Sequence, residues 1–118
     1  MTTQASSQIT FNLLQGSVRF NFSPAAAQTL QANLTDLVNR LKVIAAPSSG
    51  STGKRTAAAS MEYQHTGDVF LEVFCNPNIW PSPFAAKLLI TIRDNRIRLT
   101  TEAQLPQILE DVAHYLGE

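Results

Sequence analysis

Ala86-Lys87-Leu88-Leu89-Ile90-Thr91-Ile92-Arg93-Asp94-Asn95-Arg96-Ile97-Arg98-Leu99-Thr100 runs straight into Gln104–Leu116, and the two together decide the fold. The first segment alternates apolar and polar residues around Asp94-Asn95, the pattern of a β-hairpin. With Asp94-Asn95 as a two-residue loop, Arg93 faces Arg96, Ile92 faces Ile97, Thr91 faces Arg98 and Ile90 faces Leu99. That register turns Ile90, Ile92, Ile97 and Leu99 inward and gathers the arginines outside. In the second segment Leu105, Ile108, Leu109, Val112 and Leu116 form one stripe at helical spacing, and Gly117 supplies a C-terminal cap. Pro106 lacks an N–H, so a tight turn over Thr101–Gln104 is expected to precede a helix that begins near Pro106.

Upstream of the hairpin, Asn76–Phe84 carries Pro77, Pro81 and Pro83, none able to donate to a strand ladder, and reads as an irregular crossing. Met61–His65 and Val69–Cys75 flank Thr66-Gly67-Asp68 as a second hairpin. Val69–Cys75 is apolar on both faces apart from Glu72, the composition of a central strand or of one whose outer face is covered from outside the sheet. Residues 47–60 contain no large apolar side chain to offset the entropy of ordering and are expected to form a mobile loop.

Nearer the N-terminus, Ile9, Phe11 and Leu13 alternate with Thr10 and Asn12, and Val18, Phe20 and Phe22 alternate with Arg19 and Asn21 beyond a Gln15-Gly16 turn. Ser23-Pro24 then starts a helix whose buried face is Leu30, Leu34, Leu37, Val38 and Leu41, ending near Ile44. Asp36 and Arg40 lie four residues apart on its polar side. The reading is an α+β fold: an antiparallel sheet of about six strands in the order ββ-α-ββ-ββ-α, both helices packed on one face, in a single domain over 1–118.

Composition bounds the function. The chain has 118 residues, 44% hydrophobic and 15% charged, with nine basic and nine acidic side chains. One core of this size is self-sufficient, and a neutral total offers no long-range attraction for nucleic acid or an anionic membrane. The one cysteine, Cys75, excludes an intrachain disulfide, Met1–Gln8 lacks the basic-then-apolar order of a signal peptide, and no segment reaches membrane-span length. These features point to a cytoplasmic protein with no membrane partner.

The chemical candidates are few. Gly50-Ser51-Thr52-Gly53-Lys54-Arg55-Thr56 has the look of a phosphate-binding loop, but Ser48 stands where the Walker pattern needs glycine and Arg55 where it needs Ser or Thr. His65 and His114 have no second ligand at chelating spacing, so no metal or other cofactor is expected. Cys75 lies in an apolar run without a base, and Glu110 and Asp111, adjacent on a helix, diverge and read as a solvated face. No catalytic residue is assigned, and the chain reads as a non-enzyme.

Three features suit protein binding instead. Arg93, Arg96 and Arg98, with Lys87 nearby, form a cationic face that an acidic protein surface would relieve; without interleaved aromatics it does not suit nucleic acid. The proline-stiffened segment Ile79-Trp80-Pro81-Ser82-Pro83-Phe84 presents Trp80 and Phe84 at little entropic cost, unless both fold back over the core. Phe70 and Phe74 share one side of a central strand and would meet their counterparts in a homodimer. The leading expectation is therefore a non-catalytic adaptor or assembly chaperone. The competing one is a small-ligand-binding domain or enzyme with a pocket between sheet and helices, its polar groups Tyr63, His65 and Glu72.

Ile90-Thr91-Ile92-Arg93-Asp94-Asn95-Arg96-Ile97-Arg98-Leu99-Thr100-Thr101-Glu102-Ala103, followed by Leu109-Glu110-Asp111-Val112, resembles the C-terminal part of small uncharacterised cyanobacterial proteins. The likeness covers the C-terminal quarter of the chain and carries over no functional residue. It implies a cytoplasmic accessory factor for a photosynthetic or carbon-fixing assembly.

Overall fold

A computed structural model describes residues 7–45 and 58–118. The expected loop at 47–60 lies outside the described residues up to position 57, as does the phosphate-loop-like segment. The fold is α+β, with strands β1 (Ser7–Leu13) and β2 (Gly16–Phe22), helix α1 (Pro24–Ala45), strands β3 (Met61–Thr66), β4 (Phe70–Cys75), β5 (Lys87–Arg93) and β6 (Arg98–Gln104), and helix α2 (Leu105–Tyr115). The six strands divide into two antiparallel sheets, β1-β2 and β3-β4-β5-β6.

Local chemistry explains the boundaries. Gly16, at φ 130°, takes the backbone conformation that closes the β1–β2 turn. Ser23 caps α1, its Oγ accepting from the Ala26 N–H at 3.2 Å, and Pro24 occupies the first helical position. At the other end of the chain, the N–H of Gly117 donates to the His114 carbonyl and that of Glu118 to the Ala113 carbonyl. With Gly117 at φ 81° this is a Schellman ending for α2. Pro106 falls in the first turn of α2, where its missing N–H leaves no ladder bond unmade. Thr101–Gln104 does not form the expected turn; β6 continues through it as strand and hands over directly to the helix.

The last hairpin also differs from expectation in register. Its loop has four residues, Asp94–Ile97, and β5 pairs with β6 as Arg93↔Arg98, Ile92↔Leu99 and Ile90↔Thr101. Asp94 is the cause: its Oδ1 accepts from the N–H groups of Arg96 and Ile97 at 2.8 and 2.9 Å, closing a turn wider than a two-residue loop. The shift is two residues, so the inward side chains of β5 and β6 keep their face, but Ile97 moves to the tip and is 65% exposed.

Both helices cover one face of the second sheet. Met61 and Tyr63 of β3, Leu71, Val73 and Cys75 of β4, Leu88, Ile90 and Ile92 of β5, and Ala103 of β6 are buried there with Leu30, Leu34, Leu37 and Leu41 of α1 and Leu105, Ile108 and Val112 of α2. The Tyr63 hydroxyl donates to the Ala26 carbonyl on α1 at 3.1 Å. Ile9, Phe11, Phe20 and Phe22 bring the first hairpin into the same core, with Phe20 edge-on to both Phe11 and Phe22.

That hairpin is held laterally by polar bonds. Asp111 on α2 accepts from the Asn12 backbone N–H at 2.7 Å, from the Asn12 amide at 2.8 Å and from the Gln107 amide at 2.9 Å. Only 7% exposed, Asp111 is a clamp between α2 and the edge of β1, and the solvated role expected of it is corrected. Sequence spacing places a residue on a helix but does not reveal which strand edge arrives beside it.

Candidate functional site

Among the described residues, no helix lies on the second face of β3–β6. Alternation along each strand places on it Glu62, Gln64 and Thr66 from β3, Phe70, Glu72 and Phe74 from β4, Lys87, Leu89, Thr91 and Arg93 from β5, and Arg98, Thr100, Glu102 and Gln104 from β6, with Lys87 and Gln104 paired at one end of the face. The pairing registers align these side chains in rows across the sheet. One row reads Glu62, Phe74, Leu89, Glu102; the middle row Gln64, Glu72, Thr91, Thr100; the third Thr66, Phe70, Arg93, Arg98.

Phe74 and Leu89 are therefore directly opposed on the two central strands. Leu89 is 44% exposed, while Phe70 and Phe74 are half-buried among their neighbours. The Arg93 guanidinium lies 4.4 Å from the centre of the Phe70 ring, a cation–π contact. Thr91, at 7% exposure, lies between Glu72 and Thr100 in the middle row. Gln64 donates to Glu72 at 2.9 Å, holding that carboxylate over the middle of the face.

Four of the seven protein-binding residues expected from sequence, Phe70, Phe74, Arg93 and Arg98, thus stand together. Arg96 does not join them: it is exposed on the Asp94–Ile97 loop, beyond the end of the strands. The Asp94 carboxyl beside it is held below the usual carboxylate range by the Ile97 N–H first and the Arg96 N–H second. Trp80 and Phe84 belong to the crossing between β4 and β5, which opens with a 3₁₀ turn at Pro77–Ile79 capped by Asn76. Asn78 in that turn also holds Ala58, donating to its carbonyl and accepting from its N–H, each at 2.8 Å.

The two aromatics of the crossing part ways. Trp80 turns inward against the core, whereas Phe84 is 83% exposed. Burial pushes the Cys75 thiol up to about 11, with the neighbouring Trp80 side chain acting in the opposite sense, so the sulfur stays protonated and unreactive at neutral pH.

The polar groups of the competing ligand-binding reading do not converge. Tyr63 and His65 face the helices and Glu72 faces the other way. The Tyr63 hydroxyl is spent on Ala26, and burial pushes its pKa up to about 12. His65 packs edge-on to Phe22, with ring centres 5.3 Å apart. A groove of about 390 Å³ does lie between the first hairpin and α2, lined by Thr10, Asn12, Arg19, Asp111, His114 and Tyr115 among others. Most of its polar groups are engaged with one another: Arg19 donates to Thr10 at 3.0 Å, Tyr115 bonds Ser7, and Asp111 holds Asn12 and Gln107.

Sequence reasoning missed Leu89, Glu62 and Glu102 as members of the open face. Strand alternation counted back from Arg93 finds Leu89, whereas Glu62 and Glu102 join it only through cross-strand registers. Among the described residues no group of three or more His, Cys, Asp or Glu is placed to hold a metal ion, and no helix is long and apolar enough to cross a membrane. No family model, curated protein or solved structure matches the chain.

Proposed function

We propose that this chain is a non-catalytic protein-binding domain, an adaptor or assembly factor acting in the cytoplasm, and that it binds through the open face of the β3–β6 sheet. One observation carries the proposal: Phe74 and Leu89 oppose each other on the two central strands, with Phe70 two rows away under Arg93, on a face that no helix among the described residues covers and that charged side chains border. Apolar side chains clustered on a sheet face, inside a polar rim, are the composition of a recognition surface. The placement of Tyr63, His65 and Glu72 on two different faces weighs against the ligand-binding alternative. The buried, protonated Cys75 needs no oxidising compartment, in keeping with the cytoplasmic assignment.

The test is substitution at an exposed position. Leu89→Arg puts a charge beside Phe74 on the open face without touching the core, so the variant should melt like wild type and lose the proteins that wild type captures from a lysate of its source. An unchanged set of captured proteins would overturn the proposal.

A further inference from the structure

The charges of the open face are sorted by position. Glu62 and Glu102 stand at the two ends of the row that contains Phe74 and Leu89, with Lys87 beyond that row at the end of the face, whereas Arg93 and Arg98 stand in the row that contains Phe70, and Glu72 lies between the two rows. A uniformly acidic partner would meet the arginines but also confront three carboxylates. A complementary partner must carry the reverse order, basic where this face is acidic and acidic where it is basic, with apolar side chains to meet Phe70, Phe74 and Leu89 on either side of a polar middle row.

The chain itself carries that surface. Resting on the reading of the open face as a protein-binding surface, we propose that its partner is a second copy of this chain, packed face to face about a two-fold axis. The axis lies between the sheets along the middle row, at right angles to the strands. Rotation about it keeps every strand over its own counterpart, reverses the strand direction and lays the acidic row of one copy on the basic row of the other. Glu102 of each copy then meets Arg98 of the other, and Phe74 of each meets Phe70 of the other, so that every favourable contact occurs twice, as an isologous interface requires. Leu89 lies over the Arg93 side chain, whose guanidinium is already drawn down onto Phe70.

One opposition is unfavourable: Glu72 sits on the axis and faces its own copy. Its Gln64 partner and its neighbour Thr91 are neutral, and the nearest cation on the same face, Arg93, stands one row away over Phe70. Four strands at about 4.8 Å spacing, each contributing six or seven residues at about 3.3 Å, make a face roughly 20 Å on a side. At about 400 Å² per copy and about 800 Å² in all, an interface of this extent falls below that of stable complexes and suits a weak, reversible dimer.

Charge reversal tests both the dimer and its register. Sedimentation of the wild-type chain should show a monomer–dimer equilibrium. Arg98→Glu and Glu102→Arg, both at exposed positions, should each weaken it roughly tenfold, since each creates two like-charge contacts per dimer. Mixing the two variants should restore association as a heterodimer. The carboxylate introduced in the first then meets the guanidinium introduced in the second, while the native Glu102 of the first meets the native Arg98 of the second. Glu72→Gln should tighten the wild-type dimer by removing the repulsion at the axis. A wild-type chain that stays monomeric at high concentration, or a dimer indifferent to both reversals, would overturn the proposal, and failure of the mixed variants to associate while each remains folded would overturn this register. A monomeric wild type whose captured proteins are still lost on Leu89→Arg would overturn self-pairing alone and leave the protein-binding reading standing.

Discussion

The two faces of the β3–β6 sheet are made by the same strands yet differ in what covers them. On the helix side, Leu71, Val73, Leu88 and Ile90 are completely buried. One residue away along the same strands, Phe70, Phe74 and Leu89 keep part of their surface in water, and charged side chains surround them. Period-two alternation normally makes the outer face of such a sheet polar, so that it needs no cover. Here the two central strands depart from that rule and the two flanking strands obey it. The departure is what separates a surface that stabilises the fold from one available to a partner.

The largest effect expected from breaking this contrast is on the covered side. Leu71→Ala should cost roughly 2–5 kcal/mol of unfolding free energy in urea titration, because it opens a cavity where the strand meets the helices. A loss no greater than that for Phe74→Ala, one strand face away, would contradict the assignment of faces. Asp111→Ala should come next, at roughly 1–3 kcal/mol, since it strands the Asn12 N–H and releases the first hairpin from α2. Amide exchange should then quicken along β1 and β2 before it does in β4 and β5; uniform quickening would refute the clamp.

The covered face also sets a pH limit. Tyr63 and Cys75 both have folded pKa values raised by burial, to about 12 and about 11, from ordinary values of 10.0 and 9.0. The stability that depends on their protonated forms is fully present below pH 9 and is lost as the pH rises from 9 through 12, because the unfolded chain releases these protons first. Thermal melts should fall over that range, Cys75→Ala flattening its lower part and Tyr63→Phe its upper part; melts independent of pH from about 8 to about 11 would contradict the burial of both groups. The smallest expected effect lies on the open face, where Leu89→Ser should change monomer stability by no more than about 0.5 kcal/mol. A larger loss in the isolated monomer would mean that Leu89 serves the fold and not a partner.

Much of this architecture was readable from local chemistry. Ser23-Pro24, Gly117 and the strand alternations around Gly16 and Gly67 each carry a short-range physical reason, and the elements fall close to where those reasons place them. What local reasoning does not reach is set by contacts distant in sequence. The division into two sheets depends on α2 lying along β1 through Asp111, 99 residues from Asn12. The register of the last hairpin turned on the Asp94 side chain outcompeting a two-residue loop, which moved Arg96 and Ile97 to the tip. Trp80 could be presented or folded back on sequence grounds alone, and it packs against the core. Phe70 and Phe74 were visible as excess apolar residues on one strand, but Glu62 and Glu102 join them only through the registers of three strand pairs.

The most direct measurement of the open face as an interaction surface is photo-crosslinking in the living cell, with the reactive side chain placed at Leu89 and, in parallel, at Lys42 on the exposed side of α1. The account predicts a discrete protein adduct from position 89, at twice the mass of the chain, and none from position 42. Absence of any adduct from position 89 in the folded, expressed protein would contradict it.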